Sequence, residues 1–423
     1  MIDVLPGFRK FYPKECFYRN FLFSTIRCVC ENFCFTEYDT PTLEPLELYT
    51  EKSGEEITNQ LFNFTDRGGR AVALRPEATP AVARMIGSKI NTLKRPLKWF
   101  SIAEQFRYER PQKGRLRSFY QFSIDIFDEP NISAEAEIIS LAIVILKTFG
   151  LTEQDIHVRL SDRILWGIFL KSLSIVESDI PVALSIIDKI EKEPEANILS
   201  QLKSICEYNA EAILKNIQKF CKIRTIDELE KLFEDVPEAQ ERLSQLRKLL
   251  QRIDQMQLGN FVNLDFGIVR GLAYYTGFVF EIFERSGKSR AVAGGGRYDQ
   301  LIEKFGYPPT PAVGLAFGDV TLQNILIDRQ LLPEFQPLCD IFVIFDAHSE
   351  PAAMHDILYL RQCGVKVNYA LKGISLDKQF KQALNAHYVA QYTEDLHVRL
   401  RNITQKKEQI LTRETFLKNF QHD

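Results

Sequence analysis

The sequence predicts an α+β fold: an antiparallel sheet flanked by helices, with a helical insertion and a separate C-terminal α/β domain. Three observations carry this reading. Residues 1 to about 165 mix helical and strand patterns without strict βαβ alternation. From about 170 to 257 the pattern is helical only. Beyond a stretch at 328–338, which carries Pro333 and Pro337, strand and helix patterns alternate with short connections. The expected division is therefore a first domain over 1–327, a linker over 328–338 and a second domain over 339–423.

The apolar run Phe21 to Phe35 reads as a buried helix. Leu97 to Arg107 and Phe119 to Phe127 are β-prone runs joined by a basic loop, an antiparallel pair with a long connection. In the insertion, Thr225-Ile226-Asp227-Glu228 is a capping box ahead of Leu229, Leu232, Phe233 and Val236 at helical spacing. Leu243, Leu246, Leu249, Leu250, Ile253 and Met256 form a second stripe. Residues 261–318 return to short strands and glycine turns. In the second domain, strands at Asp340–Asp346, Val365–Ala370 and Tyr388–Tyr392 alternate with helices at Ser349–Cys363 and Ser375–His387. That order predicts a largely parallel sheet.

A net charge of −3 excludes a general nucleic-acid coat but not a local basic patch. The eight cysteines show no paired zinc spacing, and Cys28, Cys30 and Cys34 lie in the apolar helical run, so no metal site is expected. Scattered free cysteines, no signal or transit pattern and no run of 18 apolar residues predict a cytoplasmic chain without membrane contact.

Four segments carry chemistry. Arg107, Arg110, Lys113, Arg115 and Arg117 crowd one loop with Glu109. Such a loop is either a solvated hairpin tip or a polyanion site in which strand-end Arg107 is fixed for bidentate recognition. Phe119 and Tyr120 at its edge offer a face for a base. Leu74-Arg75-Pro76-Glu77-Ala78-Thr79 holds either a buried ion pair or a carboxylate and hydroxyl suited to an ammonium group. On a strand, Gln121, Ser123 and Asp125 share one face, and Phe122 and Ile124 the other. Val269 to Gly277 and Gly294-Gly295-Gly296-Arg297-Tyr298-Asp299 read as a strand edge and a Gly-rich turn. Gly287-Lys288-Ser289 resembles the end of a P-loop, but Ile282 stands where its first glycine belongs.

Phe106-Arg107-Tyr108-Glu109 followed by Phe119 resembles motif 2 of class II aminoacyl-tRNA synthetases. Arg110 to Arg115, the Leu74–Thr79 segment and the two glycine-bearing segments are similar to those of the histidyl-tRNA synthetase family. The resemblance covers nearly the whole chain and implies a class II catalytic domain followed by an anticodon-binding-like domain. It further implies that Arg107 clamps the ATP α-phosphate and the amino-acid carboxylate, while Arg270 neutralises charge on that phosphate. Glu109 would face the adenine, Phe119 stack on it and Arg115 meet the distal phosphates. Glu77 and Thr79 would hold the α-ammonium and Gln121 the amino-acid backbone. Asp125 and Tyr275 would take the imidazole, with Tyr274 and Tyr298 lining the histidine pocket. Arg110 and Gln112 would reach the acceptor end of the histidine tRNA. ATP with Mg²⁺, histidine and histidine tRNA are the implied partners. The run ending at Asp39-Thr40-Pro41 is similar to motif 1 and implies a homodimer.

Two positions depart from the family pattern. Ala273 stands where many members have Asp, and Thr321 where motif 3 places an arginine on the ATP γ-phosphate. The second departure keeps a rival open, the non-catalytic regulatory subunit of ATP phosphoribosyltransferase. A retained basic loop and the domain beyond 339 favour the ligase.

Overall fold

In chain order the first elements are α1 (Pro13–Asn32), β1 (Thr36–Glu37), β2 (Leu43–Pro45), α2 (Glu47–Thr50), β3 (Asn63–Thr65), β4 (Ala71–Leu74) and α3 (Thr79–Lys89). Two long strands follow, β5 (Leu97–Phe106) and β6 (Ser118–Phe127), then α4 (Ser133–Thr148), β7 (Ile156–Asp162) and α5 (Arg163–Ser172). Next come the helices α6 (Ile180–Ile187), α7 (Glu195–Lys203), α8 (Ala210–Phe220), α9 (Ile226–Leu232) and α10 (Pro237–Gln255). The remainder of this unit is β8 (Val262–Leu264), β9 (Phe278–Glu284), β10 (Ala293–Arg297), α11 (Leu301–Lys304), β11 (Ala312–Gly318) and α12 (Asp319–Asp328). This computed structural model describes residues 2–50, 59–112, 114–206, 208–271, 274–286, 290–335, 339–383, 386–393, 395 and 397–420. The chain divides into two compact units, Met1–Leu332 and Pro333–Asp423.

Eight strands form the main sheet in the order β1-β5-β6-β11-β10-β9-β7-β8. The six central strands pair antiparallel, and only the short edge strands β1 and β8 join in parallel. Alternation along β6 separates its faces: Phe122, Ile124 and Ile126 enter the main core, and Gln121, Ser123 and Asp125 point the other way. α4 covers the core face. It is apolar almost all round, with Ile138, Ile139, Leu141, Ile143, Ile145 and Leu146 fully buried, and it packs between α1, α10, β6 and β11.

The expected capping box forms, Thr225 accepting from the Glu228 amide and Glu228 reaching back. Two stripe residues differ from expectation. Leu232 and Met256 are exposed, because Leu232 ends α9 beside the Leu229–Phe233 stripe and Met256 lies just past α10. The Phe21–Phe35 run is not buried throughout either. α1 buries one face through Leu22, Ile26, Val29 and Cys30, while Cys28 is exposed and Cys34 lies beyond the helix at φ +61.

The second unit holds β12 (Ile341–Ile344), α13 (Glu350–Gln362), β13 (Val367–Tyr369), α14 (Leu376–Gln382), β14 (Tyr388–Tyr392), β15 (Val398–Asn402), β16 (Lys407–Leu411) and α15 (Arg413–Lys418). Its sheet is mixed rather than largely parallel. β13, β12 and β14 run parallel, and β15 and β16 add an antiparallel hairpin. The hairpin is hard to see in sequence because β16 is mostly exposed and charged, as suits a protected edge. The segment expected to link the units starts inside the first, since α12 runs to Asp328 and Leu331 and Leu332 pack on the main core. Residues 336–338 of that segment lie outside the described residues.

A buried ion pair ties the glycine-bearing strand to α4. Arg297 donates Nε and Nη2 to the Glu135 carboxylate at 2.5 and 2.6 Å, and Nη1 reaches Asp299 and the Glu129 carbonyl. Glu135→Ala leaves that guanidinium buried without its main partner. It is expected to lower the unfolding free energy of this unit by roughly 3–5 kcal/mol in urea titrations. A loss below about 1 kcal/mol would show the pair to be dispensable.

Candidate active site

The cavity face of the main sheet has an unusual floor. Strand register places Ser123, Ala316, Gly294 and Glu281 in one row across β6, β11, β10 and β9, and Asp125, Gly314, Gly296 and Val279 in the next. The two middle strands thus present no side chain larger than a methyl group in either row. Gly294 to Gly296 therefore lie in a buried central strand, not in the turn expected from sequence. Glycine in a strand interior marks close approach by other groups. Here a Cβ on Gly294 would overlap the Arg270 guanidinium, and one on Gly314 the Asp125 carboxylate. The floor opens into a cleft of about 330 Å³ and an adjoining cavity of about 730 Å³, of a size for small ligands.

Asp125 is almost completely buried at one end of the cleft. Tyr298 donates to its Oδ1 at 2.6 Å, and Oδ2 has no hydrogen-bond partner among the described residues. Burial pushes its carboxyl up to about 7, against the opposing pull of the Tyr298 and Tyr38 hydroxyls. Tyr274 donates to buried Glu77 at 3.3 Å, and Thr79, at the start of α3, lines the same wall. Gln121 donates to Ser123 Oγ at 3.1 Å on the floor. Tyr275 lies in the cleft wall with its ring 5.6 Å from the Arg270 guanidinium, and Tyr298 is the tyrosine that bonds Asp125.

Arg270 sits over Gly294 with its Nη1 on Glu281 at 2.7 Å. Its backbone is left-handed, φ +58, an infrequent conformation outside glycine that aims the side chain over the sheet. Burial opposes its charge, but Tyr275 and Glu281 outweigh that and raise its pKa above the usual range. Arg107, just past β5, is held by the Pro76 carbonyl at 3.0 Å and lies 5.4 Å over the Phe119 ring. Arg115 pairs with Glu109 at 2.8 Å. Backbone bonds between Gln112 and Arg115, with Gly114 at φ +80, close the loop into a tight tip on which Arg110 and Gln112 are exposed.

The structure thus gathers Glu77, Thr79, Arg107, Glu109, Arg115, Gln121, Asp125, Arg270, Tyr274, Tyr275 and Tyr298 around the cleft, with Phe119 in the adjoining cavity. Arg110 and Gln112 line neither. Arg75 serves the scaffold, bonding Asp39 at 2.7 Å and Thr40. Glu281, Gly314 and Arg290 went unnoticed in the sequence. Glu281 had a signal, since it interrupts the apolar run Phe278-Val279-Phe280-Glu281-Ile282-Phe283. Lys113, Ala273 and the Gly287–Ser289 segment lie outside the described residues. Among the described residues no group of three or more metal-ligating side chains occurs, and no helix is long and apolar enough to cross a membrane.

An antiparallel sheet flanked by helices, with an arginine-bearing loop between two of its strands, defines the class II aminoacyl-tRNA synthetase fold. Residues 7–321 match the histidyl-tRNA synthetase family model, and the chain belongs to that family. A histidine–tRNA ligase of Opitutus terrae is 50% identical over 385 residues, covering 90% of this chain and 88% of that one. A histidine–tRNA ligase of Haloarcula marismortui is 39% identical, covering 92% and 90%. In three dimensions the chain resembles the histidyl-tRNA synthetase of Nostoc, with a TM-score of 0.79 at 24% identity and 99% of each chain covered.

Asp125 gives the site a pH signature. In the fold it keeps its proton up to about pH 7, whereas an unfolded aspartate ionises near pH ~4. Between those values the folded chain binds one proton more, so this group's contribution to stability falls as pH rises through the window. Asp125→Asn removes that slope. Urea midpoints of the ligand-free protein should shift in favour of the variant between pH 5 and pH 8. Parallel curves for the two proteins would contradict the assignment.

Proposed function

We propose that the chain is a histidine–tRNA ligase, and that the cleft activates histidine with ATP before transfer to tRNA. The observation that carries this is the pairing of a buried acceptor with partly buried cations across one small-residue floor, Asp125 at one end and Arg107 and Arg270 at the other. An imidazole N–H fits the open Oδ2 of Asp125, and a site built to accept that hydrogen bond rejects isosteres lacking the donor. Glu77 and Thr79 take the α-ammonium, and Gln121 the amino-acid backbone. Tyr274, Tyr275 and Tyr298 close the pocket. The curated relatives carry the ligase's name, which supports this reading over the regulatory subunit.

In the first step a histidine carboxylate oxygen attacks the ATP α-phosphorus and the bond to pyrophosphate breaks. Arg107 and Arg270 face the charge that builds on that phosphate, and being held already by Pro76 and Glu281 they need little rearrangement. Phe119 stacks on the adenine beside Glu109, and Arg115 meets the distal phosphates. In the second step the terminal ribose hydroxyl of histidine tRNA attacks the carbonyl carbon and AMP leaves. Exposed Arg110 and Gln112 meet the acceptor end. Glu109 and Glu281 are each engaged by an arginine, so the cleft offers Mg²⁺ no cage of its own. The ion enters with ATP, whose phosphate charge it neutralises. The second unit binds the anticodon. The enzyme works as a cytoplasmic homodimer, the assembly implied by the motif 1 likeness.

Purified protein should exchange labelled pyrophosphate into ATP only when histidine is present, and should charge histidine tRNA. Arg270→Ala should cut the exchange by roughly 10²–10³-fold, the scale of losing one preorganised charge-stabilising group, with its melting temperature preserved. Absence of histidine-dependent exchange by the unmutated protein contradicts the ligase.

A further inference from the structure

Position 321 brings no charge to the outer cavity, yet a cation stands beside it. Thr321 is buried at the start of α12, and Arg290 projects from the segment ahead of β10 into the same cavity. The two converge on the tip of the basic loop: a Cβ built on Gly114 would lie 3.9 Å from both Arg290 Cδ and Thr321 Oγ1. The other arginines of the cavity are engaged, Arg270 by Glu281, Arg115 by Glu109 and Arg107 by the Pro76 carbonyl. Arg290 has no hydrogen bond or ion pair among the described residues. Partial burial and the nearby Arg115 both press its pKa down, and Glu109 only partly offsets them. Two cations therefore share one carboxylate at this end of the cavity, an arrangement relieved by a polyanion.

We propose that Arg290 binds the terminal phosphates of ATP opposite Arg115, supplying from the β9–β10 connection the charge that Thr321 does not. This rests on the reading of the cavity as an ATP site. Its length and exposure suit the role: the guanidinium is free to close on a phosphate and to release pyrophosphate afterwards. A nucleotide without those phosphates leaves Arg290 idle, so the inference separates ATP from AMP.

The test is calorimetric titration of the full chain with ATP and, separately, with AMP. Arg290→Ala should weaken ATP binding by roughly 10-fold or more, as for loss of a charge-assisted hydrogen bond, and leave AMP within about 2-fold. Arg290→Lys should keep part of the ATP preference. Adding Thr321→Arg to Arg290→Ala should restore it, because the new guanidinium starts from the neighbouring wall. Equal losses for ATP and AMP, or no loss for either, overturn the proposal. Unmutated protein that prefers ATP to AMP but exchanges no pyrophosphate with histidine contradicts the ligase, and the Arg290 comparison is then decided on the nucleotide titrations alone.

Discussion

Four strands meet at a floor almost without side chains, and the rest of the site depends on that. Gly294, Gly296, Gly314 and Ala316 occupy the centre of an eight-stranded sheet, where large residues would normally fill the space. Their smallness admits the Arg270 guanidinium above Gly294 and the Asp125 carboxylate above Gly314. Asp125 is thereby carried on a strand, and Arg270, which projects from the loop between β8 and β9, is received over the same strand surface. Glycine in a strand interior weakens it, so the sheet must be held by other means. The core face does this, with α4 packed on β6 and β11 and the Arg297–Glu135 pair anchoring the glycine strand from below.

Burial sets opposite demands at the two ends of the floor. Asp125 loses water, and that burial outweighs the bond donated by Tyr298, so its proton is retained to near neutrality. Arg270 loses water too but keeps its charge because Glu281 and the Tyr275 ring are beside it. The site thus holds a carboxyl ready for a donor and a cation ready for an anion. Histidine, with an imidazole at one end and a carboxylate at the other, spans that polarity. The same logic extends outward, where Arg290 stands beside Thr321 at the loop tip, close enough to Arg115 and Glu109 to feel both charges.

Much of this was legible in sequence where local rules dominate. Period-two alternation put Gln121, Ser123 and Asp125 on one face, and the capping box at Thr225 marked its helix start. What escaped depended on partners distant in the chain. The Gly294–Gly296 run reads as a turn until β9 and β11 are placed beside it. Glu281 looks like a stray charge until Arg270 arrives from a left-handed bend. Strand β16 of the second unit's hairpin is exposed almost throughout, so no apolar period announces it. Most candidate residues around the cleft came from resemblance to a family, not from pattern.

The claim that glycine positions the catalytic cation is tested most directly by Gly294→Ala, read by calorimetric binding of a non-hydrolysable histidyl-adenylate analogue. The atoms nearest the added methyl group all belong to the far end of the flexible Arg270 side chain, which can swing aside without unfolding the sheet. The account predicts a loss of analogue affinity of roughly 10-fold or more, as for removal of a charged hydrogen-bond donor, with the melting temperature near that of the parent. Gly167→Ala, on α5 with open space around it, is the control and should bind as the parent does. Undiminished analogue affinity in Gly294→Ala would contradict the account.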